Sequence, residues 1–235
     1  YGLDLDPSIQ DYSALIKDFE NSLSMFKNNK VFHFLHRASF ETFERDLNFF
    51  NAIKKNFPDT IFGICTNNLD IFNLYSSQME INILQIAVNL LDYKNNIPLL
   101  KLAKKLGCIT QARSCLSSGL LNLNYNENSY LNFTDSIRSR FGSNSQNIQK
   151  YKNRINNRNK IYNFFLEKKL DKNMTFTNFC YSILLESSYI DSVILGGSNK
   201  TQLEQNSKIK LNSFNKIIID SVYNKKILEW SSDYL

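Results

Sequence analysis

The sequence predicts an α/β fold in which parallel strands alternate with helices. Two observations predict it: short, almost continuously apolar segments recur along the chain, and longer amphipathic segments lie between them. Continuously apolar strands are typical of parallel sheets that are buried on both faces. The 235 residues, of which 43% are hydrophobic, suffice for one large domain.

Five apolar segments are predicted to be strands, and each is expected to lead through a loop into a helix. They are residues 31–36, 60–66, 83–89, 108–113 and 192–195. Alternation of this kind predicts a parallel sheet with helical crossovers. Eight such units form a barrel of about 250 residues, so five units predict a partial barrel.

Helical spacing of apolar residues predicts the connecting elements. Pro58 is expected to end one of them, and Gly107 is expected to cap the C-terminus of another. The predicted helices are residues 8–26, 41–57, 98–106, 148–169, 175–187 and 214–230. Residues 117–147 show no periodicity and follow a strand, so they are predicted to form a long loop at the face where barrels build active sites.

Composition excludes several classes of function. The net charge of +6 is spread over helix faces without a basic stripe or interleaved aromatics, which argues against nucleic-acid binding but favours anionic ligands. Four cysteines without paired spacing argue against a zinc site and favour reduced thiols in the cytoplasm. No apolar segment is long enough to cross a membrane, and no signal peptide is recognisable.

Motifs at the strand ends resemble those of aldo-keto reductases, in the same order and with similar spacing. The most similar is Ile-Leu-Gln-Ile-Ala-Val-Asn-Leu-Leu-Asp at residues 83–92. The others are residues 19–23, 32–36, 62–66, 111–121 and 192–206. The resemblance implies a partial (β/α)8 TIM barrel that holds strands four to eight with their helices.

The resemblance also implies hydride transfer between NADP(H) or NAD(H) and a small carbonyl or alcohol substrate, a sugar among the candidates. His36 matches the His on the oxyanion side of the family's site, whereas His33 is expected to be structural. Gln85 matches the Gln that binds the nicotinamide carboxamide. Cys65 and Thr66 stand where the family has Ser-Asn on the same group.

The remaining matches concern the rest of the cofactor. Arg113 replaces the Tyr that stacks on the nicotinamide ring, which indicates an anionic substrate, and Ser114 is expected near the pyrophosphate. The residues expected to hold the adenosine phosphate end are Gly196, Gly197, Ser198, Gln202, Gln205 and Asn206. Lys200 is the only cation nearby in the sequence, so the choice between NADP and NAD stays open.

The family's catalytic Asp, Tyr and Lys, which lie on the first three units, have no match in this sequence. We therefore expect residues 1–235 to form a single, N-terminally truncated barrel domain of an oxidoreductase. One alternative is a non-catalytic nucleotide-binding or scaffolding protein on the same fold. Another is a different TIM-barrel enzyme with the same phosphate-binding end. The sequence does not indicate the oligomeric state.

Overall fold

The computed structural model describes residues 2–3, 13–25, 32–168, 174–197 and 200–207, together with residues 209, 211, 213–214, 218–219 and 222. Within these residues each strand of one sheet neighbours the next strand along the chain. The strands are β1 (Gly2–Leu3), β2 (Phe32–Leu35), β3 (Ile61–Cys65), β4 (Ile83–Ala87), β5 (Ile109–Arg113) and β6 (Ser192–Val193). The first three pairs are parallel. The predicted α/β architecture is confirmed.

All five predicted strands are present, each shorter than its apolar segment. The sheet has in addition β1, whose Gly2 and Leu3 pair with Phe34 and Leu35. Two residues are too few to show a periodic pattern, so the sequence carries no indication of this strand.

Helices connect the strands in the predicted order. They are α1 (Ser13–Met25), α2 (Phe43–Asn56), α3 (Leu69–Gln78), α4 (Tyr93–Lys105), α5 (Ser145–Glu167), α6 (Phe176–Leu185) and α7 (Lys200–Asn206). Gly107 has a φ of 77° after α4, as expected of a helix cap. Most of the predicted helix 214–230 lies outside the described residues. The structure describes residues 214, 218–219 and 222 of it.

The largest departures from the predicted helices concern α4 and α3. Helix α4 begins at Tyr93, five residues before the predicted start at Pro98, because the Asp92 carbonyl accepts hydrogen bonds from Asn95 N (3.2 Å) and from the side chain of Asn96 (3.0 Å). Helix α3 was not predicted. The Asn68 side chain caps it by accepting from the backbone N–H of Asp70 and Ile71, at 2.8 and 3.0 Å.

The chain divides into two compact units, the first comprising Tyr1–Ile86 with Pro98–Gln111. Its core consists of large side chains from the sheet and the helices of this unit. These include Phe49, Ile53, Phe62, Ile64, Phe72, Tyr75, Leu84 and Leu100. Gly63 of β3 is needed for close packing, because a Cβ there would lie 2.4 Å from Cε1 of Phe34.

The second unit comprises Ala87–Ile97 with Ala112–Leu235. Helices α5 and α6 pack through aromatic rings, with Phe165 and Phe179 centroids 5.2 Å apart and Tyr162 and Phe176 also 5.2 Å apart. The β5–α5 loop (residues 114–144) has a small apolar cluster of its own against α5. This cluster is formed by Leu120, Phe141, Tyr151 and Ile155, with Tyr125, Tyr130 and Phe133 packed on it.

Candidate functional site

Three polar side chains form a hydrogen-bonded series across β3, β4 and β5 in the first unit. The Cys65 thiol donates to Oε1 of Gln85 (3.1 Å), and Nε2 of Gln85 donates to Oε1 of Gln111 (2.9 Å). Cys65 is directly paired with Gln85 in the strand register. The structure thus brings together two of the predicted site residues, Cys65 and Gln85.

Gln111 was missed as a functional candidate. It is a polar residue inside a short apolar strand, the same pattern that singled out Gln85, and such residues need partners. Applying that criterion to β5 as well as β4 would have found it. Both glutamines are half-buried, so their amides lie at the margin of the core.

Thr66 follows Cys65 and is also buried. Its backbone N–H donates to the Gln85 carbonyl at 3.3 Å, and its Oγ1 accepts from the backbone N–H of Asn68 at 3.1 Å. The hydroxyl oxygen therefore helps to form the turn that leads into α3. Thr66 lies beside the predicted carboxamide site, with its hydroxyl oriented by the loop.

The two histidines at β2 have contrasting surroundings. His36 follows the strand and is exposed, as a residue that contacts a ligand at the strand end should be. His33 is 3% exposed, and its ring lies 3.9 Å from that of Phe19. Burial lowers the pKa of His33 to about 4, and its Nε2 has no hydrogen-bond partner. His33 is therefore a neutral core residue.

Arg113 and Ser114 mark the end of β5 in the second unit. The Arg113 carbonyl accepts from Val88 N at 3.0 Å, and the strand then turns sharply because Ser114 has a φ of 55°. The turn is closed by a hydrogen bond from Ser117 N to the Ser114 carbonyl at 2.7 Å. Ser114 is exposed, whereas the guanidinium of Arg113 is half-buried with an unpaired Nε.

A buried ion pair lies behind this turn and was not predicted. Both terminal nitrogens of Arg154 on α5 donate to the Asp92 carboxylate, at 2.9 and 2.8 Å, and Nη2 also donates to Oγ of Ser117 at 2.6 Å. Asn89 donates to the same carboxylate at 2.8 Å. These contacts join three parts of the second unit: the segment after β4, helix α5, and the turn that follows β5. Asp92 and Arg154 are 62 residues apart, and the sequence does not indicate that they meet.

The segment after β6 contains the residues expected at the adenosine phosphate end. Gly196 and Gly197 are exposed, and the Asn206 side chain donates to the Gly196 carbonyl at 2.9 Å, which ties α7 to the segment. Gln202 is exposed on α7. Ser198 and the Gln205 side chain lie outside the described residues. Lys200 Nζ lies 3.8 Å from Oε1 of Glu204.

A cleft of about 330 Å³ lies within the β5–α5 loop. It is lined by the aromatic rings of Tyr125 and Phe133 and by polar side chains, including Asp135 and Arg138. Arg138 pairs with Asp135 at 2.6 Å, hydrogen-bonds the Tyr125 hydroxyl, and lies over both rings at 5.6 Å. The charged side chains of the cleft, Arg138 and Asp135, are thus paired with each other.

The described residues contain no group of three or more His, Cys, Asp or Glu side chains placed to hold a metal ion. None of the described helices is long and apolar enough to span a membrane.

No family model and no curated protein sequence matches this chain. Solved structures do match. Aldo-keto reductase AKR11C1 from Bacillus halodurans, in its holo form, superposes with a TM-score of 0.65 at 14% identity over 98% of this chain and 71% of that chain. The glycerol dehydrogenase AKR11B4 from Gluconobacter oxydans gives 0.65 at 13% identity over 89% of this chain and 62% of that one.

An aldo/keto reductase from Brucella melitensis gives a TM-score of 0.56 at 17% identity, with 95% of this chain and 71% of that chain covered. The chain therefore spans 62% to 71% of the length of these three proteins. At such identities the similarity establishes the fold. The fold of the chain matches part of the (β/α)8 barrel of these aldo-keto reductases, as its motifs predicted.

Proposed function

We propose that the chain functions in an oxidoreductase that transfers a hydride between NADPH or NADH and a small aldehyde or ketone, giving the alcohol. The observation that carries this proposal is the Cys65–Gln85–Gln111 series in a sheet with the aldo-keto reductase fold. Fold alone does not define chemistry, so the proposal depends on what these side chains can bind.

The Gln85 amide retains the groups that a nicotinamide carboxamide needs. A glutamine amide has two acceptor lone pairs and two N–H donors. The bonds to Cys65 and Gln111 use one of each, which leaves one lone pair and one N–H. A primary carboxamide pairs with one donor and one acceptor, so Gln85 suits it. The two existing bonds orient the amide before the cofactor binds.

The other roles are proposed from the motif resemblance. When bound, the reduced nicotinamide supplies the hydride. His36 is proposed as the catalytic residue on the oxyanion side. The proposed cofactor-binding residues are Cys65, Thr66, Gln85, Arg113, Ser114, Gly196, Gly197, Ser198, Gln202, Gln205 and Asn206. A cytoplasmic location is proposed from the composition.

Fluorescence titration with NADPH and with NADH tests the proposal. The wild-type chain is expected to bind at least one of them saturably. Gln85→Met keeps the length of the side chain but removes both amide groups, so the affinity should fall roughly tenfold for the loss of one to two hydrogen bonds. Gln78→Met, at the exposed C-terminal end of α3, is the matched control and should bind like wild type.

The outcomes separate the functional alternatives. Saturable binding together with NADPH oxidation in the presence of aldehydes supports the reductase. Binding without turnover fits the non-catalytic nucleotide-binding alternative and equally a reductase whose catalytic Asp, Tyr and Lys have no match in residues 1–235, so turnover must also be assayed with the product of the longer reading frame. Absence of binding to both dinucleotides, or equal affinity in Gln85→Met and wild type, would refute the role given to Gln85.

A further inference from the structure

Arg113 differs from the other shielded arginines of the described chain. Arg45, Arg138 and Arg154 each pair with an aspartate, at 2.8, 2.6 and 2.8 Å. Arg158 donates to the carbonyls of Asn122 and Tyr125 at 3.2 and 2.6 Å and to the side-chain oxygen of Asn159 at 2.7 Å. Among the described residues, Arg113 is the half-buried arginine with neither a carboxylate nor a side-chain acceptor; its Nε, like that of Arg154, is buried without a partner.

The position of Arg113 accounts for its burial. It is the last residue of β5, and Ala112 before it is fully buried, so alternation places the guanidinium on the opposite face of the strand from Ala112. The backbone of Arg113 is held by the hydrogen bond from Val88 N. The side chain thus projects from a fixed point at a strand end, where barrels bind their ligands.

The buried, unpaired Nε of Arg113 has a physical cost that a ligand can remove. Arginine keeps its charge at every accessible pH and presents donors in a planar fork that fits carboxylate and phosphate oxygens. A buried donor without an acceptor destabilises the free protein. An anionic oxygen would satisfy that donor.

We propose that Arg113 binds an oxyanion of the ligand and thereby selects for anionic ligands. The oxyanion has two possible sources: a carboxylate on the substrate, or a phosphate of the dinucleotide. That the ligand is either the substrate or the dinucleotide rests on the proposed function. The contact itself can be measured without turnover.

The test compares the wild-type chain with Arg113→Gln, Arg113→Lys and the exposed control Arg140→Gln by titration calorimetry at constant ionic strength. The probes for the substrate source are acetate and 4-hydroxybutanoate, with butan-1-ol as the neutral match. The probes for the cofactor source are NADPH and inorganic phosphate. A thermal melt without ligand checks folding, and Arg113→Gln should melt no lower than wild type because it removes an unpaired donor.

Loss of a charge-assisted hydrogen bond predicts a roughly tenfold to hundredfold weaker affinity in Arg113→Gln for the anion that Arg113 binds. Arg113→Lys should retain part of that affinity, because it keeps the charge but loses the fork. Arg140→Gln should match wild type, and binding of butan-1-ol should not change.

The pattern of losses identifies the source. If the affinity of Arg113→Gln falls only for the carboxylates, Arg113 binds a carboxylate of the substrate. If it falls only for NADPH and phosphate, Arg113 binds a phosphate of the cofactor. Arg113-dependent carboxylate binding without NADPH binding would refute the proposed function while supporting this inference. If no probe binds more weakly to Arg113→Gln than to wild type, the inference is wrong.

Discussion

Replacement of Arg154 by Met should destabilise the chain more than any surface substitution. The Arg154 and Asp92 side chains are 14% and 7% exposed, and Arg154→Met leaves the Asp92 carboxylate with Asn89 as its remaining side-chain donor. Removal of one partner of a buried ion pair typically costs about 3–5 kcal/mol. The variant also removes the unpaired Nε of Arg154, which should stabilise the chain by about 1 kcal/mol. The free energy of unfolding is therefore expected to fall by about 2–4 kcal/mol.

Urea denaturation followed by circular dichroism measures this loss, with the exposed Arg140→Met as the control. The contribution of the ion pair itself can be measured by adding Asp92→Asn and the double variant. The double variant should lower the free energy of unfolding by less than the sum of the two single variants. A loss below about 1 kcal/mol for Arg154→Met, or strictly additive losses, would show that the ion pair contributes little to stability. In that case the joining of the β4 and β5 segments through α5 must have another cause.

Three further predictions concern stability and reactivity. Burial lowers the pKa of His33 to about 4, below the usual 6.5, so the unfolded chain takes up the proton first and the free energy of unfolding should fall by about 2–3 kcal/mol from pH 7.5 to about pH 4.5. His33→Phe should flatten this dependence in urea titrations, and an unchanged slope would contradict the assignment. Tyr75→Phe removes a 2.7 Å hydrogen bond to the buried Asp46 carboxylate and should lower the urea midpoint by the equivalent of about 1.5–3 kcal/mol; a loss under about 0.5 kcal/mol would refute it. All four cysteines are buried, and burial raises the pKa of Cys115 to about 12, so a thiol reagent at pH 8 should label the chain only after denaturation. Rapid labelling of the native chain would contradict this.

The strands could be predicted from the sequence because their burial on both faces produces continuous apolar segments. Most helices followed from spacing and from the residues that end them, such as Pro58 and Gly107. Helix α3 was missed although Asn68 caps it, because the segment is short and follows a strand directly. The start of α4 was misplaced because a proline favours the first turn without being confined to it.

The site was predictable only in part. Gln85 was recognisable as a polar residue in an apolar strand and as a motif match. Its hydrogen bonds to Cys65 and Gln111 depend on the register between strands, which the sequence does not specify. The meeting of Asp92 with Arg154 depends on how α5 lies in its unit, and no local pattern encodes such a contact. Arg113 was visible as a departure from the family pattern, whereas the unpaired Nε required the structure.

The apolar cluster of the β5–α5 loop has a consequence for how this protein can evolve. Because Phe141 and Tyr151 anchor the loop to α5 through a core of its own, its exposed residues can change without disturbing the sheet. Insertions and substitutions at the rim of the cleft should be tolerated as long as that anchor is kept. Substitutions in the loop can thus change the shape and charge of the cleft while the strands keep their packing.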